Sequence, residues 1–186
     1  MNKPVNDTHP LHKFRFCPVC GSSDFAINNV KSKHCNACGF TYYFNPSAAT
    51  VAVIIRDGKL LTVRRAKEPA KGTLDLPGGF CDLYETSEEG VIREVKEETG
   101  LDATIKTFLF TLPDTYLYSG FLVHTIDTFY LCETSPMADP HAMDDAAEAM
   151  WMPLSDIRPE LFGLDSIRAG VRRLLSDDVI KKILNK

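Results

Sequence analysis

Two Cys-x-x-Cys pairs, Cys17-Pro18-Val19-Cys20 and Cys35-Asn36-Ala37-Cys38, stand fourteen residues apart near the start of a 186-residue chain. No other feature narrows the possible folds as sharply. Each pair is followed by a glycine, Gly21 and Gly39, which allows the positive φ of a tight knuckle with amides aimed at the sulfurs. Two knuckles offer four thiolates, the donor set of a closed tetrahedral zinc site. The spacing falls one residue short of the usual range. The alternative is a pair of disulfides or redox dithiols. A redox Cys-x-x-Cys opens a helix in a βαβ setting, whereas the flanks here, Phe25-Ala26-Ile27 and Phe40-Thr41-Tyr42-Tyr43-Phe44, read as short strands. The reading is a small four-cysteine zinc ribbon over residues 1–44, with Cys17, Cys20, Cys35 and Cys38 as ligands. About thirty residues cannot build a sufficient core alone, so the bound Zn²⁺ would stabilise the fold. Four thiolates leave no open position for chemistry and none for His34, which reads as a surface side chain.

Composition separates this module from the rest. Residues 1–44 carry a formal +3 and the remainder −7, within a net charge of −4. Counting four thiolates and Zn²⁺ brings the module to about +1, which weakens any nucleic-acid reading of its basic residues. Hydrophobic residues make up 44% and charged residues 25%, an ordinary globular balance. No apolar run nears the ~20 residues of a membrane span, and the polar start MNKPVNDTHPLHKFRF has no apolar leader segment, so the expected location is the cytoplasm. Cys81 and Cys132 lack partner spacing and read as small, partly buried apolar residues.

Asn45-Pro46-Ser47 is a turn that marks the start of a main domain over residues 45–186. The apolar run 48–56 reads as a buried strand, Asp57-Gly58 as a hairpin turn, and 59–65 as its return. A short extended segment, 74–80, breaks into a glycine loop. Thr86 or Ser87 can cap a helix running to Thr99, stopped by Gly100. Strands follow at 104–112 and 121–132, with a turn near Ser119-Gly120, and a further strand ends near Trp151. Amphipathic helices are expected at 164–175 and 177–184, where Leu164, Ile167, Val171, Leu174 and Leu175 fall at core-facing helical spacing. This order implies an α+β fold, an α/β/α sandwich around a mixed sheet.

The 86–99 helix carries Arg93-Glu94-Val95-Lys96-Glu97-Glu98. At about 100° per residue, Glu98 lies about 40° from Glu94 and Glu97 about 60° to the other side, so three carboxylates share a face. They repel one another and sit in the half of the helix where the macrodipole disfavours negative charge. Carboxylates held against both penalties, downstream of the Leu76-Pro77-Gly78-Gly79 loop, point to a bound cation. All-oxygen ligands select a hard ion such as Mg²⁺ or Mn²⁺, usually shared with substrate phosphates.

Gly79, Glu85, Arg93, Glu94, Val95, Glu97, Glu98, Gly100 and Leu101 match all nine specified positions of the pattern G-x5-E-x7-R-E-U-x-E-E-x-G-U, U being aliphatic. At residue frequencies of roughly 5–7%, the seven fixed identities would coincide by chance on the order of 10⁻⁸ or less per start position. The chain therefore resembles the Nudix hydrolases, over residues 46–158. That resemblance implies a Mg²⁺-dependent hydrolase of a nucleoside diphosphate linked to another moiety. It implies that Glu94, Glu97 and Glu98 bind metal and supply the base, that Arg93 orients Glu94, that Glu85 supports the cluster, and that the Gly79 carbonyl ligates metal. In some members the base comes from a later loop, for which Asp144, Asp145 and Glu148 are the candidates here. A solvated loop is the alternative for them.

A zinc ribbon ahead of such a domain is similar to NADH pyrophosphatases. Those carry a Ser-Gln-Pro-Trp-type motif soon after the pattern, and residues 102–121 contain none. Pro113 falls only twelve residues past Leu101, short of the position about fifteen past it that marks ADP-ribose hydrolases. Tyr118 falls seventeen past it, where many dinucleoside polyphosphate hydrolases carry a tyrosine. Tyr118 is thus a candidate substrate contact, with hairpin packing as its alternative. The expected substrate is NAD(H), ADP-ribose or a dinucleotide-like small molecule. RNA-end processing and a non-catalytic nucleotide-sensing module are the alternatives, and the intact pattern disfavours the second. A homodimer would be in keeping with many family members.

Overall fold

The computed structural model describes residues 10–135, 137–176 and 178. Contacts divide the chain into two compact units, Met1–Pro46 with Tyr116–His124, and Ser47–Thr115 with Thr125–Lys186.

The first unit begins with a single helical turn, α1 (Pro10–Lys13), followed by an antiparallel sheet in the order β1-β2-β3. Its strands are β1 (Phe25–Asn29), β2 (Ser32–Cys35) and β3 (Thr41–Tyr43). The sequence reading anticipates β1 and β3. It misses β2, whose Lys33 and His34 disguise a largely buried strand. Both knuckles close as expected: Gly21 and Gly39, at φ 73° and 78°, donate to the carbonyls of Cys17 and Cys35 at 2.9 and 2.8 Å. Cys17, Phe25 and Cys35 form the buried core, flanked by Phe14, Phe40 and Tyr42. Residues 116–124 add an aromatic contribution, with the Phe121 ring 6.0 Å from that of Phe14 and His124 5.8 Å from Phe44.

The second unit is built on β4 (Ser47–Arg56). Its side chains alternate between two cores. Val51 and Val53 face one, Ala52 and Ile54 the other, which is why the strand reads as a continuous apolar run. The Asp57-Gly58 turn returns the chain as β5 (Lys59–Arg65), and β6 (Leu74–Asp75) and β7 (Gly78–Phe80) pair with β5 and β4. The helix α2 (Ser87–Thr99) comes next, then β8 (Ala103–Tyr118), β9 (Phe121–Thr134), β10 (Ala146–Pro153) and α3 (Asp165–Leu174). Strand β8 reaches the Ser119-Gly120 turn rather than stopping at Leu112. The sheet runs β10-β5-β4-β9-β8 and is mixed, since β4 and β9 are parallel while β5 is antiparallel to β4 and β10.

Helix α2 contributes Val91 and Val95 to one core, against Ala52, Ile54 and Tyr130. Helix α3 contributes Ile167, Val171 and Leu174 to the other, against Val51, Val53 and Phe129. The two helices therefore cover opposite faces of the sheet, the layered α+β arrangement the sequence implied. The second expected C-terminal helix, 177–184, lies largely outside the described residues. Among the described residues no helix is long and apolar enough to cross a membrane.

Candidate active site

Local sequence sets where the carboxylates go. Thr86 caps α2 by accepting from Glu89 N–H, and the Glu89 side chain accepts from Thr86 N–H in return. This capping box fixes the first turn. Gly100 ends the helix by donating to Lys96 O. Between these stops the burial of Val91 and Val95 sets the rotation of α2 and turns Glu94 and Glu98 toward β7.

Arg93 organises the cluster. Its Nε and Nη2 donate to Glu85 Oε1 and Oε2 at 2.8 and 2.9 Å, a two-pronged charged contact. Nη1 donates to Glu94 Oε1 at 2.9 Å and Glu97 Oε2 at 2.8 Å, and Nη2 also reaches Phe80 O at 3.0 Å. One guanidinium thus gathers three of the predicted carboxylates and ties them to β7. Glu98 stands apart: its Oε2 accepts from Gly78 N–H at 3.0 Å, and the residue is only 9% exposed. The shared face is therefore graded, with Glu97 exposed, Glu94 half-buried and Glu98 buried.

The electrostatics follow this gradient. The Arg93 contact holds the Glu85 carboxyl down at about 2. Burial raises Glu94, against the pull of Arg93. Burial also pushes Glu98 up to about 9 from an ordinary 4.5. The folded chain thus holds a proton on Glu98 that the unfolded chain releases near 4.5. Metal-free stability accordingly falls as pH rises between those values. A divalent ion on Glu98 must displace that proton. Titrating the metal-free protein with Mn²⁺ at neutral pH is therefore expected to release about one proton per chain, with apparent affinity rising toward alkaline pH. Calorimetry in buffers of different ionisation enthalpy measures this, and Glu98→Gln should release none.

The donor set fits a hard cation. Glu98 is a buried carboxyl with no ion-pair partner among the described residues, and Gly79 forms a cradle beside Glu94. A Cβ added at Gly79 would lie 2.4 Å from Glu94 Oε1, so only glycine lets backbone and carboxylate come this close. Gly79→Ala is expected to displace the Glu94 carboxylate and lower kcat at least about tenfold while the melting temperature hardly moves. Steady-state kinetics and thermal denaturation together check it.

The N-terminal cysteines fit zinc. Cys17 and Cys38 sulfurs lie 3.7 Å apart, Cys20 and Cys35 sulfurs 3.6 Å, and all four within 4.8 Å of one another. A tetrahedron with Zn–S near 2.3 Å has edges of about 3.8 Å. Among the described residues this is the one group of three or more His, Cys, Asp or Glu whose donor atoms gather so closely. His34 hydrogen-bonds Thr41 Oγ1 through Nδ1 at 2.8 Å. Cys132 is buried, with its thiol pushed up to about 12, and Cys81 is half-buried.

The downstream acids are engaged elsewhere. Asp145 pairs with Lys67, and Glu148 accepts from Arg64 Nε at 2.8 Å across the β5–β10 register. Asp144 occupies a turn at φ 49°. Tyr118, at the end of β8, belongs to the first unit and is 54% exposed. The Gly78 N–H that receives Glu98 was not foreseen, because a backbone donor carries no residue-type signal.

Residues 46–175 match the NUDIX domain family model. The chain belongs to the Nudix family. It is 34% identical over 130 residues to an ADP-ribose pyrophosphatase of Methanocaldococcus jannaschii, covering 69% of this chain and 74% of that one. It is also 24% identical over 159 residues to the NAD-capped RNA hydrolase NudC of Vibrio vulnificus, covering 86% of this chain and 58% of that one. The chain thus spans about three quarters of the first relative's length and less than two thirds of the second's. Among solved structures, a NUDIX hydrolase from Nitrosomonas europaea superposes with a TM-score of 0.74 over 92% of this chain and 94% of that one, at 19% identity, a likeness of fold. A bifunctional NMN adenylyltransferase/ADP ribose pyrophosphatase from Francisella tularensis gives 0.57 at 26% identity, over 72% of this chain and 41% of that one. The chain is a Nudix pyrophosphohydrolase-family protein, related to ADP-ribose pyrophosphatase and to NudC.

Proposed function

We propose that this Nudix protein is a divalent-metal-dependent hydrolase that cleaves the diphosphate of a nucleoside diphosphate joined to a second moiety. ADP-ribose is the leading substrate, and NAD(H) and other dinucleotides belong to the same class. The observation that carries this reading is the Arg93 clamp, which gathers Glu85, Glu94 and Glu97 beside β7 with Glu98 buried on the same helix. The name of the Methanocaldococcus relative supports the choice of ADP-ribose.

Glu94, Glu97, Glu98 and the Gly79 carbonyl would hold Mg²⁺ or Mn²⁺. When bound, such an ion supplies charge neutralisation for the diphosphate and a water acidic enough to attack phosphorus. The chain's own contribution is orientation. Arg93 fixes the Glu94 carboxylate, Glu85 fixes Arg93, and Gly78 N–H aims one Glu98 oxygen. Glu94 accepts the proton of the attacking water. The ion pairs of Asp145 with Lys67 and Glu148 with Arg64 make those acids weaker candidates for this task. The thiolates of Cys17, Cys20, Cys35 and Cys38 would hold a structural Zn²⁺ in a ribbon over residues 1–44, ahead of a hydrolase domain over 45–186. Thiolates of this kind persist in a reducing, cytoplasmic compartment.

A second reading, removal of an NAD-type cap from RNA, is favoured by the NudC match, which extends over 86% of this chain. A Mg²⁺-dependent hydrolysis screen separates the two. Its substrates are ADP-ribose, NADH, NAD⁺, FAD, diadenosine polyphosphates, nucleotide sugars and NAD-capped RNA, with products identified. Highest kcat/KM on ADP-ribose, releasing AMP and ribose 5-phosphate, supports the first reading. Preference for capped RNA, with affinity falling steeply as salt rises, supports the second. No hydrolysis of any diphosphate would overturn both.

A further inference from the structure

From residue 137 to residue 145, the segment joining β9 to β10 has no buried side chain. Core packing therefore does not set its course. Polar contacts do, at three places. Arg56, at the end of β4, donates from Nη1 to Ser135 O at 2.9 Å and to Ala138 O at 2.8 Å, with Nη2 3.6 Å from Asp139 Oδ1. His141 N–H donates to Thr99 O at 2.9 Å, and Met143 N–H to Glu98 O at 3.1 Å. Ala66 N–H donates to Asp145 O at 2.9 Å, beside the ion pair of Lys67 with Asp145.

The middle contact reaches the active site. Glu98 O and Thr99 O belong to the last turn of α2, where carbonyls have no partner within the helix. The two amides satisfy them, and offset the negative end of the helix dipole where Glu94, Glu97 and Glu98 crowd together. The Met143 sulfur also lies against Gly100, which stops the helix. Glu98 is thereby held at both ends, its carboxylate by Gly78 N–H and its own carbonyl by Met143 N–H.

Backbone groups make the contacts to α2, and any residue but proline supplies them. Sequence acts on this segment through Arg56. The guanidinium lies over the Trp151 ring, 4.1 Å from its centroid, and the side chain is only 17% exposed. Trp151 and Ala138 pack against the same core as Val91 and Val95 of α2. A planar guanidinium stacked on an aromatic ring is preorganised for its acceptors. We propose that Arg56 is a positioning residue for the metal site, fixing the β9–β10 segment as a strap whose Met143 N–H places the backbone of Glu98. This rests on the reading of Glu98 as a metal ligand given above.

The test compares the full chain with Arg56→Met, Arg56→Lys and Met143→Pro. Methionine keeps an apolar stem on Trp151 and loses every donor. Lysine keeps a cation there, with an ammonium able to serve both carbonyls. Proline deletes the donor to Glu98 O. In the metal-free chain, amide exchange at His141 and Met143, followed by NMR, should accelerate in Arg56→Met, although both amides bond to α2 and not to Arg56. Arg56→Lys should restore much of the protection. Calorimetric Mn²⁺ affinity at fixed neutral pH should weaken about ten- to a hundredfold in Arg56→Met and in Met143→Pro. The double variant should bind no more weakly than the weaker single, since both act through one strap. KM for ADP-ribose at saturating Mn²⁺ should be unchanged.

An Arg56 that served stability alone would lower the melting temperature and leave Mn²⁺ affinity untouched, which would overturn the inference. Unchanged exchange at His141 and Met143, additive losses in the double variant, or an Arg56→Met chain that does not fold would do the same. Mn²⁺ affinity lost in Glu98→Gln but kept in both strap variants overturns this inference alone. Affinity kept in Glu98→Gln as well overturns the metal site, and this inference with it.

Discussion

Glu98→Gln should lower kcat about a thousandfold or more at saturating Mg²⁺ while leaving the fold intact, a loss of about 4 kcal/mol of transition-state stabilisation. The substitution keeps the shape of the side chain and an oxygen to accept Gly78 N–H, so the helix–β7 contact survives. It removes the one buried carboxylate of the trio, whose charge has no counter-ion among the described residues and whose ionisation burial opposes. Two effects then oppose each other. Losing an ionisable buried group should hold or raise stability, since a neutral amide avoids the cost of burying charge. Losing a negative ligand removes charge stabilisation worth several kcal/mol in the reaction. The second appears only in turnover and the first only in unfolding, so the two measurements are independent. Single-turnover hydrolysis and thermal denaturation on the same preparation make the comparison. Near-wild-type turnover would remove Glu98 from the metal site.

Cys17→Ser or Cys38→Ser should abolish zinc binding and unfold the first unit, from a wild type carrying one zinc per chain. The energetics leave little room otherwise. The buried apolar core there is Cys17, Phe25 and Cys35, flanked by half-buried aromatics. Full burial of a side chain like Phe25 contributes about 1.5–3 kcal/mol. So small a core does not offset the conformational entropy of the segment, whereas a structural zinc contributes about 10–16 kcal/mol at neutral pH. Elemental analysis counts the metal, and amide spectra should lose dispersion in residues 10–46. Iron, an absence of metal, or a folded ribbon in the serine variants would contradict the assignment.

Much of this was legible because it rests on local physics. The capped helix ending at Thr99 was legible from Thr86 or Ser87 as its cap and Gly100 as its stop, whose preferences act within a single turn. The β4–β5 hairpin came from Asp57-Gly58, and the four-cysteine cluster from knuckles that need only four consecutive residues each. Strand β2 was hidden because its burial comes from neighbours on both sides, not from its own composition. Strand β8 outran its apolar stretch because pairing with β9 continues to the turn wherever backbone partners are available.

By itself the sequence determined the Nudix pattern, the four thiolates, and the presence of three glutamates on one helical face, since helix periodicity and covalent spacing settle all three. The tertiary structure alone decided how those glutamates differ. Packing of Val91 and Val95 buries Glu98 against Gly78 and leaves Glu97 in water on Arg93. The physical reason is general. A side chain's charge state depends on the water and donors that surround it, and those are supplied by residues distant in sequence.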